Sequence, residues 1–95
     1  FFASITEISL SFTKVTNQSV ISIVRYLKNS LEVLDLQGCH YVSLDTIFEA
    51  VRNLTQLKIL FYDCEGSCMK YAKPPKMCGT CESLKKERPG LIIDD

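Results

Sequence analysis

A chain of 95 residues with 46% apolar side chains is long enough for one small core and too short for two. Eleven basic and eleven acidic side chains cancel, which removes any whole-molecule electrostatic argument for nucleic acid or an anionic membrane. No apolar run approaches the roughly eighteen residues of a membrane span, and Phe1-Phe2-Ala3 has neither the basic nor the continuous apolar region of a signal peptide. A soluble chain with no membrane partner is therefore expected. It starts without Met at the threshold of a strand phrase, which reads as a fragment of something longer. Five cysteines, an odd number without a secretory leader, point to reduced thiols or metal ligands in an intracellular compartment rather than to a disulfide framework.

The first phrase is Ile5-x-x-Ile8-x-Leu10, whose alternation describes a half-buried strand with Glu7, Ser9 and Ser11 facing away from the core. Val20, Ile23, Val24 and Leu27 follow at i, i+3, i+4, i+7 with Arg25 and Lys28 off the stripe, so a helix is predicted over 18–28. The phrase returns as Leu31-x-x-Leu34-x-Leu36. Here Leu34 and Leu36 share one side of a strand and Asp35 takes the other. Gly38 supplies backbone freedom for a turn, and Cys39 is a small side chain suited to packing beneath it. Ser43 is a helix N-cap with Asp45 in the first turn, and Ile47, Val51 and Leu54, with Phe48 beside them, predict a helix over 44–53. Leu57-x-x-Leu60-x-Tyr62 is the third strand phrase.

Each phrase starts 26 residues after the last. The turn from Leu10 to Val15 is one residue shorter than that from Leu36 to Val42, and the segment from Leu27 to Leu31 is one longer than that from Leu54 to Leu57. The lengths compensate and keep the strands in step. The expected fold is thus α/β, with parallel strands joined by helical crossovers. Two readings share that content: a repeat solenoid in which no unit buries its apolar face alone, and a small α/β domain whose βα units happen to match in length.

Leu31-x-x-Leu34-x-Leu36-x-x-Cys39 resembles the opening of a cysteine-containing leucine-rich repeat, the variety found in F-box substrate receptors and their relatives. The likeness covers residues 5–62. Thr13 and Glu65 replace the cysteine in the other two units, with Cys64 one place early. The resemblance implies a leucine-rich repeat solenoid with a short parallel sheet on its concave face and helices on its convex face. Its repeats would span about 5–30, 31–56 and 57–90, with a last strand at 91–94. Protein recognition is the usual role of such folds, and a substrate receptor of a ubiquitin ligase is the specific role implied.

After Tyr62 the rhythm breaks at a basic, cysteine-rich insertion over 64–81. Cys64 and Cys68 form a C-x3-C pair, Cys78 and Cys81 a C-x2-C pair, with Lys70, Lys73 and Lys76 and Pro74-Pro75 between them. Two close pairs resemble a four-cysteine zinc site, which would be structural because four thiolates leave no open coordination position. Three alternatives stand beside zinc: Cys64 as a displaced turn cysteine of the third repeat, a disulfide from Cys68 to Cys78 or Cys81, or uncombined thiols. Glu82 to Glu87 is expected to form a short helix ended by Pro89-Gly90, and Leu91-Ile92-Ile93 a final strand. The third unit is then enlarged by eight residues, the 34 from Leu57 to Leu91 less 26.

These elements place Val33, Asp35, Gln37, Ile59, Phe61 and Asp63 on the sheet face away from the helices, where a protein partner is expected to bind. The same positions become covered if the carboxy-terminal segment folds across them as a cap. Lys70, Lys73 and Lys76 extend the partner surface in a basic loop. The alternative function is a zinc-ribbon-like module whose basic tail binds nucleic acid or an acidic partner, although Tyr71 alone supplies an aromatic near it, against a stacking platform. Catalysis is not expected: His40 sits on a turn after Cys39, and phosphate loops, dinucleotide fingerprints and acid/base pairs are missing from the sequence.

Overall fold

The computed structural model describes residues 5–63 and 78–94. Among them the elements run β1 (Glu7–Ser9), α1 (Asn17–Leu27), β2 (Val33–Asp35), α2 (Leu44–Asn53), β3 (Ile59–Phe61), α3 (Gly79–Glu87) and β4 (Ile92–Asp94). The strands form one sheet in the order β1-β2-β3-β4, every neighbouring pair parallel. Parallel neighbours need a long crossover, and each helix supplies one. The protein is a small α/β fold.

The 26-residue phrase sets the register directly. Ile8 pairs with Leu34 and Leu34 with Leu60, each one period apart. Hydrogen bonds beyond the strand ends repeat on the same interval. The Leu10 N–H donates to Asp35 O, and the Leu36 N–H to Phe61 O, both at 2.9 Å. At the strand entrances, the Glu32 N–H donates to Thr6 O and the Lys58 N–H to Glu32 O, both at 2.7 Å.

One core lies on one side of the sheet. Leu31, Leu34, Leu36, Leu57 and Leu60 pack in a single cluster with Val20 and Leu27 of α1, Ile47, Ala50 and Val51 of α2, and Leu84 of α3. Because helix side chains from all three helices share that cluster with Leu34 and Leu60, the helices form a single layer, α1 against α2 and α2 against α3. The compensating loops have a packing reason. Val20, Val24 and Leu27 correspond to Ile47, Val51 and Leu54 at an offset of 27, while the strands keep 26, so each helix slides by one residue to seat its stripe.

The turns after β1 and β2 also match. Phe12 (φ 58°) and Gly38 (φ 69°) stand 26 residues apart, both in the left-handed region. The next residue in each turn, Thr13 or Cys39, donates its N–H to the carbonyl of Leu10 or Leu36 at 3.2 Å. Glycine enters that region freely, whereas an aromatic residue there costs about 1–2 kcal/mol. A Cβ on Gly38 would also run into the Phe12 ring, which would have to move aside. Cys39 packs under the turn as expected, its Sγ donating to Leu10 O at 3.0 Å.

The third unit departs from this pattern. Ile59 pairs with Ile92, an offset of 33, so the insertion is seven residues (33 − 26) and not eight. Leu91 is buried but precedes the strand, which spans Ile92–Asp94 rather than beginning at Leu91. The helix starts at Gly79, three residues before the expected Glu82, because Cys78 serves as its N-cap: its Sγ accepts the Cys81 N–H at 3.4 Å. Arg88 is half-buried, and its guanidinium donates to Val51 O and Leu54 O at 2.9 Å and to Leu57 O at 3.3 Å, closing the carboxy-terminal end of α2.

Candidate functional site

Strand alternation puts Leu34 and Leu60 in the core and their neighbours on the opposite face. Pairing then assembles those neighbours into rows across the sheet. One row is Glu7, Val33, Ile59 and Ile92; the next is Ser9, Asp35, Phe61 and Asp94. Two residues further along lie Ser11, Gln37 and Asp63. Val33, Asp35, Gln37, Ile59 and Phe61 are half-buried, and Asp63 is exposed. Val33, Asp35, Ile59 and Phe61, four of the six residues expected to meet a partner, therefore share one face, with Gln37 and Asp63 just beyond the strand ends, and no described helix packs on it. The carboxy-terminal strand lies beside β3 and not across it, so β4 adds Ile92 and Asp94 to the face instead of covering Ile59 and Phe61.

The face grades from polar at β1 to apolar at β3 and β4. Asp35 is the fixed point between the two. Its Oδ1 accepts the Gln37 N–H at 3.0 Å and its Oδ2 accepts the Ser9 hydroxyl at 3.1 Å, which orients the carboxylate without neutralising it. The described ion pairs lie elsewhere: Lys58 with Glu32 at the strand entrances, and Arg52 with Glu49 and Glu87 on the helices. Ile92 and Asp94 were hidden from the sequence by the seven-residue insertion, since only the pairing of β4 with β3 sets which of its residues face outward.

A concavity opens at the carboxy-terminal ends of the strands, lined by Gly38, Cys39, His40, Tyr62, Asp63 and Thr80 among others. Ligands of open parallel sheets commonly bind at such ends. The exposed His40 stands on the turn there, while the Cys39 thiol is committed to the Leu10 carbonyl.

Of the expected zinc ligands, Cys64 and Cys68 lie outside the described residues, as do Lys70, Lys73 and Lys76. Cys78 caps α3, and Cys81, 3% exposed, fills a core position on the first turn of that helix. Among the described residues no three His, Cys, Asp or Glu side chains converge as a metal site. No helix of the described residues is long and apolar enough to cross a membrane.

The class defined here is a small α/β protein with a four-strand parallel sheet and three helices among the described residues, all on one side of that sheet. No family model, no curated protein and no solved structure matches the chain.

Proposed function

We propose that the chain is part of a leucine-rich repeat protein of the cysteine-containing type and acts as a protein-interaction scaffold through its open sheet face. The observation that carries this reading is the single-sided layering: strands in sequence order, the first three at a 26-residue offset, helices in one layer, and Val33, Ile59, Phe61 and Ile92 together on the opposite face. An apolar strip on a rigid sheet is the kind of surface that anchors a partner. Repeat architectures also build extended binding surfaces by stacking short units. The same resemblance extends the role to substrate recognition in a ubiquitin ligase, which copurification of a Skp-type adaptor with the full-length protein would test.

Affinity capture with the wild-type chain and with Phe61→Ala, compared at equal folded concentration, tests the scaffold reading. Partners retained by the first and lost by the second, with unchanged melting, are expected. Equal retention by both, or a Phe61→Ala chain that only loses stability, overturns it.

A further inference from the structure

Among the described residues, the sheet face opposite the helices combines its apolar strip with a one-signed charge. Its eleven positions are Glu7 and Ser9 on β1, Val33 and Asp35 on β2, Ile59 and Phe61 on β3, Ile92 and Asp94 on β4, and Ser11, Gln37 and Asp63 two residues beyond the ends of the first three strands. Four are acidic and none is basic, although the chain as a whole is neutral. Among the described residues Arg25 stands on α1, Arg52 on α2 and Lys85 and Lys86 on α3, while Lys58 at a strand entrance is paired with Glu32. Glu7, Asp35 and Asp63 take part in none of the described ion pairs.

Asp35 and Asp94 flank Phe61 in the same row, one strand to either side. Adjacent strands are about 4.8 Å apart, so these carboxylates bracket the aromatic ring at a separation of about 10 Å. Asp35 is already oriented by Ser9 and Gln37, so fixing it on binding costs little, and its remaining lone pairs can accept a guanidinium or ammonium.

Resting on the scaffold reading above, we propose that the partner is a peptide segment with Arg or Lys on both sides of an apolar side chain. The apolar residue packs on Phe61, Ile59 and Val33, and the basic residues meet Asp35, Asp94 and Asp63. An acidic peptide or a nucleic acid would bring like charge to this face and is disfavoured.

Isotope-labelled wild-type chain titrated with three peptides of equal length and equal leucine content, with Arg, Ser or Glu at the flanking positions, tests the proposal by NMR. The Arg peptide should shift the amides of Val33, Asp35, Ile59, Phe61 and Ile92 and bind about tenfold more tightly than the Glu peptide. Its affinity should fall with added salt. Asp63→Asn and Asp35→Asn should each weaken the Arg peptide about threefold and leave the Ser peptide unchanged. If all three peptides bind equally and lose binding in Phe61→Ala, the face is a docking surface but the charge inference is wrong. If none shifts this face, the scaffold reading fails with it; binding of the Arg peptide with shifts confined to other surfaces likewise overturns the proposal.

Discussion

The first two units and the third solve the same packing problem by different means. Units one and two share strand offset, a left-handed turn residue, and matching turn hydrogen bonds, so each is close to a translated copy of the other. The third keeps strand and helix but takes 33 residues to reach the next strand and caps its helix with Cys78. It also sends Arg88 back to hold the carbonyls of the preceding helix. Strand geometry is what stacking requires; the return segment is free to vary as long as its stripe reaches the core.

That contrast can be broken at its strongest shared feature first. Leu34→Ala and Leu60→Ala remove equivalent, fully buried side chains, and each should cost about 2–5 kcal/mol in chemical denaturation. A much smaller loss for Leu60 would mean that the third unit packs loosely. Arg88→Ala should cost about 2–3 kcal/mol, because three carbonyls lose a charged donor. Arg88→Lys should restore less than half of that, since an ammonium cannot span three acceptors in the guanidinium fork.

The turns offer a finer test. Gly38→Ala should destabilise by about 2 kcal/mol through its positive φ and the Phe12 ring, whereas Phe12→Gly should come within about 1 kcal/mol of wild type in either direction. Equal losses at both positions would deny that they are the same turn. Smallest is Cys81→Ala, expected to cost about 1 kcal/mol as a small core truncation. Metal analysis distinguishes the zinc proposal there: about one equivalent bound to the wild type and none to Cys81→Ala supports a site including Cys64, Cys68 and Cys78, and a metal-free wild type removes it.

What the sequence made legible follows from what is local. The helix over 44–53 agrees with α2 at both ends, because the Ser43 hydroxyl oxygen accepts the Thr46 N–H as the cap and Asp45 suits the first turn. α1 is displaced by one residue: its cap residue, Thr16, makes no side-chain bond, and Asn17 instead accepts the Ser43 N–H of the next unit at 2.7 Å. That Val33, Asp35, Ile59 and Phe61 lie on the sheet face opposite Leu34 and Leu60 was readable from alternation alone. Cys78 as a cap, Arg88 as a clasp and Ile92 with Asp94 as face residues were not, since each depends on a contact across many residues that no local pattern encodes.

Nuclear Overhauser contacts in the 95-residue chain, read together with a soluble paramagnetic probe, test the one-sided repeat most directly. Continuous interstrand contacts along Ser9, Asp35, Phe61 and Asp94 are expected, with Val33 and Ile59 relaxed by the probe and Leu34 and Leu60 shielded from it. A register displaced by one residue, or shielding of both sheet faces, would contradict it.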